Sequence, residues 1–237
     1  MLLLILPPLL LLLLLLRLHL LISPTRPKPL RHGRQNPHEP THLLILLGSG
    51  GHSTEMLAML SRALNPPAGA AGGRLHWRDY SHRTWVLTAG DALSASRAHA
   101  FEATTSCPPN YTLATIPRPR AVHQSLWTTP LSTLHSLFAS LRLLARAPPD
   151  VILCNGPGAA AVLVLASVLL RLVGVGGGAG DRAGGAQRTV YVESVARVRS
   201  LSWSGWLLRG VVDRCVVQWE ALERRYGGRV EFGGVLV

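Results

Sequence analysis

The stretch that decides the fold is His42-Leu43-Leu44-Ile45-Leu46-Leu47-Gly48-Ser49-Gly50-Gly51-His52-Ser53-Thr54-Glu55-Met56-Leu57. It opens on a short apolar run ended by glycine, the pattern of a buried strand. From Ser53 to Leu64 the apolar residues fall at 56, 57, 60 and 64, one face of a helix. Between them stands Gly48-Ser49-Gly50-Gly51-His52. Glycines let the backbone turn tightly and bring a ligand close. The unpaired N–H groups and positive dipole end of the following helix suit a phosphate. This is not the dinucleotide fingerprint: Ser53 stands where the third glycine belongs, and no acidic residue ends the next strand. The plain alternative is a tight turn capped by Ser53 or Thr54, with Glu55 in the first helical turn. His52 then serves as a hydrogen-bonding group at the cap or ligand.

The strand-then-helix pattern repeats along the chain. Strands are predicted over Thr84–Thr88, Tyr111–Ile116, Asp150–Cys154, Thr189–Glu193, Val211–Gln218 and Val230–Val237. Helices are predicted over Asp91–Glu102, Ser125–Arg146, Ala159–Val173, Ser202–Gly210 and Ala221–Tyr226. Short apolar strands alternating with helices specify an α/β fold, a doubly wound parallel Rossmann-like sheet covered on both faces. Ligands of such sheets bind at the carboxyl ends of the strands. Asn155-Gly156-Pro157-Gly158 leaves the fourth strand as the first glycine turn leaves the first, with Asn155 a donor for a sugar hydroxyl or phosphate. The alternative is a turn that only starts the next helix. Glu193 closes the fifth strand, so its carboxylate is expected at the crevice, paired with Arg197 or taking a proton from a hydroxyl nucleophile. His123 and His135 are read as surface or partner groups. Residues 66–77 and 174–187 read as Pro/Gly-rich loops.

Three regions are expected: an anchor over 1–22, a basic Pro-rich tether over 23–41, and one domain over 42–237. Residues 2–22 are almost all leucine. At ~1.5 Å per residue such a helix just spans ~30 Å of hydrocarbon. No basic region precedes the leucines and no small-residue cleavage site follows them, so a cleaved signal peptide fits poorly. Arg26, Lys28, Arg31 and Arg34 follow the span and place the domain in the cytosol. The sequon at Asn110 is then expected to stay unmodified. The apolar helix 159–173 is read as buried rather than as a second span.

The net charge is +12 and Lys28 is the only lysine; the rest of the basic residues are arginine. Arginine favours phosphate-bearing or anionic partners. No zinc-finger spacing or Lys/Arg block points to nucleic acid. A hydrophobic content of 48% excludes wholesale disorder. Cys107, Cys154 and Cys215 are too few and too scattered for a disulfide framework or metal site. No metal or cofactor is expected.

Taken together, several motifs carry a resemblance: Leu46 to Leu57, Ile116-Pro117-Arg118, Cys154-Asn155-Gly156-Pro157-Gly158, Tyr191-Val192-Glu193-Ser194 with Arg197, and Gln218-Trp219. From about residue 43 to the C-terminus the chain resembles the membrane-anchor subunit family of the two-subunit N-acetylglucosaminyltransferase of asparagine-linked glycosylation. The resemblance implies the N-terminal, acceptor-side half of a GT-B glycosyltransferase. It implies an endoplasmic reticulum membrane location, dolichyl-diphosphate-N-acetylglucosamine as acceptor, and a soluble partner subunit that binds UDP-N-acetylglucosamine. Gly48, Ser49, Gly50, Gly51 and His52 are then candidates to hold the diphosphate. Asn155, Gly156 and Gly158 would line the cleft, with Arg118 and Arg197 facing the diphosphate and Glu193 the candidate for direct chemistry. Val235, Leu236 and Val237 would dock the partner. The chain alone is expected to be inactive. The rival readings are a membrane-tethered nucleotide-dependent oxidoreductase and a non-enzymatic interaction module.

Overall fold

The computed structural model describes residues 2–22, 41–66, 75–105, 107–121, 124–156, 158–175 and 187–237. The tether 23–40, most of the loop 66–77, His123, Pro157 and residues 176–186 of the Gly-rich insert lie outside the described residues.

Among the described residues, seven strands form one parallel sheet: β1 (His42–Leu47), β2 (His82–Thr88), β3 (Tyr111–Ile116), β4 (Val151–Asn155), β5 (Arg188–Val192), β6 (Arg214–Val217) and β7 (Glu231–Phe232). Their spatial order is β3-β2-β1-β4-β5-β6-β7, with every pair parallel. The order reverses between β1 and β4, so their carboxyl ends flank a crevice.

The side chains of β1 explain why it is central. Leu43 to Leu47 are all buried, and each contributes about 2 kcal/mol of burial. Leu44 and Leu46 enter one core with Val86, Ile152, Cys154 and Tyr191. Leu43, Ile45 and Leu47 enter the other with Trp85 and Leu87. That period-2 split needs cover on both sides. One layer contains α4 (Thr129–Arg146), α5 (Ala159–Leu172), α6 (Trp203–Leu208) and α7 (Glu220–Tyr226), whose inward side chains join the first core. The other contains α2 (Gly51–Leu64) and α3 (Ala92–Thr104), which close the second core. α5 is buried along most of its length, as its apolar sequence predicts.

Several boundaries differ from the sequence reading; the sixth strand, expected over Val211–Gln218, spans only Arg214–Val217, and two further differences bear on the site. The last strand was expected to reach Val237 but pairs only through Phe232. Gly234 takes φ 78°, which turns the chain out of the sheet, and the Leu236 amide then donates to Gln218 Oε1 at 3.0 Å. α2 starts at Gly51 rather than Ser53. Its cap is Gly50 at φ 67°, with no side-chain cap hydrogen bond. Ser53 is instead buried in the helix, its hydroxyl donating to the Gly48 carbonyl and pairing with Ser94 Oγ.

Residues 2–22 form a helix, α1. Its described side chains are those of residues 7, 8 and 11–22. Among the described residues, no helix is long and apolar enough to cross a membrane. Arg17 Nη2 donates to the Arg171 carbonyl at 3.1 Å, tying α1 to α5.

Candidate functional site

The two glycine turns meet where β1 and β4 end. A Cβ at Gly156 would lie 3.0 Å from His52 Cγ, and one at Gly48 would lie 2.9 Å from His52 Cβ. His52 is thus clamped between the two turns. Gly156 has φ 82°, a conformation that L side chains rarely adopt, so glycine is required there on two counts. Asn155 is 1% exposed; its Nδ2 donates to the His52 carbonyl at 3.1 Å. Its Oδ1 is buried without a partner among the described residues.

Ser49, Gly50 and Gly51 are exposed. A Cβ at Gly50 or Gly51 would meet nothing within 4 Å, so the space over the first turn of α2 is open. α5 likewise starts at a glycine, Gly158, with no side-chain cap. Two helices therefore point uncapped N-termini toward one crevice, an arrangement that favours an anion. The loop after β3 closes in from the side. Pro119 approaches Gly158, and Arg118 lies beside Gly90 with its buried Nε unpartnered among the described residues.

The other predicted site residues sit elsewhere. Glu193 is 1% exposed and lies one residue beyond β5. Its Oε2 accepts from the Ser202 amide at 2.9 Å and hydroxyl at 3.0 Å; its Oε1 accepts from the Ser194 amide at 3.2 Å. The carboxylate thus braces the loop leading into α6, and Arg197 is exposed and forms no ion pair with it among the described residues. The register explains this: Tyr191 enters the α4–α7 core, and Glu193, two residues on, follows it to the same side. Of the tail, Leu236 packs against the second core, while Val235 and Val237 are exposed. Arg62 Nη1 of α2 donates to the Val237 carbonyl at 3.0 Å.

Glu55 and Gln218 were not singled out as site residues, yet they join these parts. Glu55 is 8% exposed; its Oε1 accepts from the Val195 amide at 2.5 Å and from Gln218 Nε2 at 3.0 Å. Its Oε2 lies 3.6 Å from His52 Nδ1. Gln218 also donates to the Glu193 carbonyl at 3.1 Å and accepts from the tail at Leu236. Burial opposes the charge on Glu55, but His52, the Val195 amide and Ser194 outweigh it, so its pKa falls below the ordinary 4.5. No sequence signal marked Glu55, which lies outside the face formed by positions 56, 57, 60 and 64 and reads as a first-turn acid.

A prediction follows for Glu55→Ala. It leaves two buried donors unpaired and is expected to cost about 1–3 kcal/mol at neutral pH. A carboxyl whose folded pKa is depressed stabilises above its unfolded pKa and loses that contribution as pH falls through the folded one. The gap between wild type and variant should therefore narrow on acidification below the ordinary carboxylate value. Urea unfolding of both chains at neutral and acid pH checks this; an unchanged gap would show that the carboxylate charge contributes nothing.

Comparison with known proteins identifies the family. The model of the family described as "Oligosaccharide biosynthesis protein Alg14 like" matches residues 43–236. The UDP-N-acetylglucosamine transferase subunit ALG14 of Mus musculus is 35% identical over 207 residues, 84% of this chain and 85% of the relative. The Homo sapiens protein of that name is also 35% identical, over 84% of this chain and 85% of its own length. The Schizosaccharomyces pombe one is 38% identical over 82% and 83%. Among solved structures, MurG of Acinetobacter baumannii is similar at a TM-score of 0.49 and 15% identity, over 77% of this chain. The match spans 43% of MurG, less than half its length. With a family model running through both glycine turns to the tail, and relatives matched over most of their length, this chain belongs to the Alg14-like family of oligosaccharide biosynthesis proteins.

Proposed function

We propose that the chain is the membrane-anchoring, acceptor-binding subunit of a two-subunit UDP-N-acetylglucosamine transferase. In this reading the complex adds the second N-acetylglucosamine to dolichyl-diphosphate-N-acetylglucosamine. A hydroxyl of the acceptor sugar attacks the donor's anomeric carbon and gives up its proton to a base of the assembled complex, as the bond to UDP breaks and UDP leaves with the electron pair. A soluble partner subunit binds UDP-N-acetylglucosamine and supplies the other half of a GT-B enzyme. This chain alone is inactive and needs no cofactor, metal or nucleic acid.

The observation that carries the reading is the crevice between the glycine turns, where two uncapped helix N-termini converge over open space. It offers amides to a diphosphate and lacks the third glycine and acidic residue of a dinucleotide site. Relatives named as transferase subunits support the substrate class. Gly48 to His52 hold the diphosphate, Asn155, Gly156 and Gly158 line the cleft, and Arg118 approaches from the β3 loop. Arg197 stands on the adjacent exposed loop. Val235 and Val237, turned outward beside α2, present the partner-docking tail.

The leucine-rich sequence of residues 2–22 is the basis for an anchor in the endoplasmic reticulum membrane, with the domain cytosolic because the basic residues follow it. Co-purification from membranes followed by an activity assay tests the central claim. The expected result is transfer to the dolichyl acceptor only when a second, soluble subunit is present; transfer by the purified chain alone would sink it. Asn110 provides an independent check of orientation: its side chain contacts Ser81 and His82 near the surface, and mass spectrometry should find it unglycosylated in cells. A glycan there places the domain in the lumen.

A further inference from the structure

The two helical layers differ sharply on their outer surfaces. α2 and α3 contribute only Leu93 to the exposed large apolar side chains among the described residues. The opposite layer exposes Leu131, Leu134 and Phe138 along α4, Trp127 just before it, and Trp203 and Trp206 on α6. Trp127 and Trp203 are 94% and 90% exposed. A patch of this kind on a soluble domain normally meets a partner or a membrane. Charge chooses between them. α4, α5 and α6 contain no Asp or Glu; the acids on this layer's helices, Glu220 and Glu223, stand on α7, with Glu220 paired to Arg224 at 2.7 Å. Exposed Arg142 and Arg146 follow the apolar positions of α4, and exposed Arg120 precedes it. Apolar residues with tryptophan, edged by arginine and free of acid, match the interfacial zone of an anionic bilayer. Position agrees with chemistry. The leucine helix α1 packs on α5, and α5 packs on α4 and α6, so anchor and patch belong to one layer.

We infer that the outer face of α4, with Trp127 and the exposed tryptophans of α6, lies in the headgroup region of an anionic membrane, buried roughly 5–10 Å. The domain is laid on the bilayer rather than hung from its tether. This rests on the membrane-anchor reading and adds an orientation: the α2–α3 layer faces water.

The test uses the full chain in vesicles of phosphatidylcholine with phosphatidylinositol. Cys154 and Cys215 are buried, so Cys107→Ser leaves no accessible thiol. On that background a nitroxide is placed by Leu134→Cys, by Phe138→Cys on the same face, and by Ser96→Cys on exposed α3 as the aqueous control. Accessibility to oxygen and to a water-soluble nickel chelate is read for each, and alkaline carbonate extraction reports the anchor separately. The expected result is labels at 134 and 138 that oxygen reaches and the chelate does not, with the label at 96 showing the reverse. Labels at 134 and 138 open to the chelate, in a chain that resists extraction, overturn the inference and leave the anchor standing. Labels in lipid on an extractable chain uphold the inference and remove the anchor. Labels shielded from both reagents mean that protein covers the face, and overturn it.

Discussion

Glu102→Leu is expected to remove about 3–5 kcal/mol of stability, a large part of the ~5–15 kcal/mol that holds an ordinary domain together. Glu102 lies in α3 beneath the second core, and Arg83 is the second residue of β2 beside it; their side chains are 3% and 2% exposed. Arg83 Nε donates to both carboxylate oxygens, at 3.0 and 3.2 Å. The Trp85 and Trp77 indoles donate to the same carboxylate at 2.8 and 3.2 Å. Removing the carboxylate strands three groups at once, the guanidinium and two indoles. A guanidinium cannot shed its charge, so it stays buried and uncompensated. Its bonds to the Tyr80 and Pro108 carbonyls satisfy two donors but not the charge. The two indole N–H groups lose their acceptor as well. The control is Arg83→Met combined with Glu102→Leu: with both charges gone, the double variant should be more stable than Glu102→Leu alone. Urea unfolding of the full chain in detergent, followed by tryptophan emission, measures both. A single-variant loss under about 1 kcal/mol, the range of a solvated surface pair, would contradict the burial argument.

The reach of sequence reasoning here follows the range of the interactions. β1 and the glycine turn were legible because every feature is local: an apolar run, a glycine stop, a helical face. Six further strands followed from the same logic, and the parallel sheet from their alternation with helices. Glu193 shows where local reading stops. A carboxylate at a strand end was expected in the crevice, but strand register sends it toward α6, where Ser202 captures it. Counting alternate residues from Tyr191 would have shown this. The Glu55–Gln218 contact was out of reach, because it joins residues 163 positions apart through a fold not yet known. The tail misled for another reason. Its alternating apolar residues read as strand, while Gly233 and Gly234 break the pairing and let Leu236 fold back on Gln218.

Gly51→Leu is expected to raise the KM for the dolichyl-diphosphate acceptor roughly 10–100-fold, the equivalent of one or two charge-assisted hydrogen bonds. Gly51 is the first residue of α2, exposed, with no neighbour for a Cβ and no left-handed φ. Leucine fits the helix better than glycine by about 0.5–1 kcal/mol, so the fold should not weaken. The new side chain stands over the first-turn amides and takes the space proposed for the diphosphate. The donor KM should not change, because the partner binds UDP-N-acetylglucosamine in the proposed arrangement. Gly156→Val provides the contrast. It forces a β-branched residue into φ 82° and drives its Cβ against the His52 ring, so stability and activity should fall together. Kinetics of the membrane complex, with melting curves of each variant, separate the two cases. An unchanged acceptor KM in Gly51→Leu would mean that the diphosphate does not sit on the α2 N-terminus. The glycine turn would then be a device for joining β1 to α2, and the interaction-module reading would replace the acceptor site.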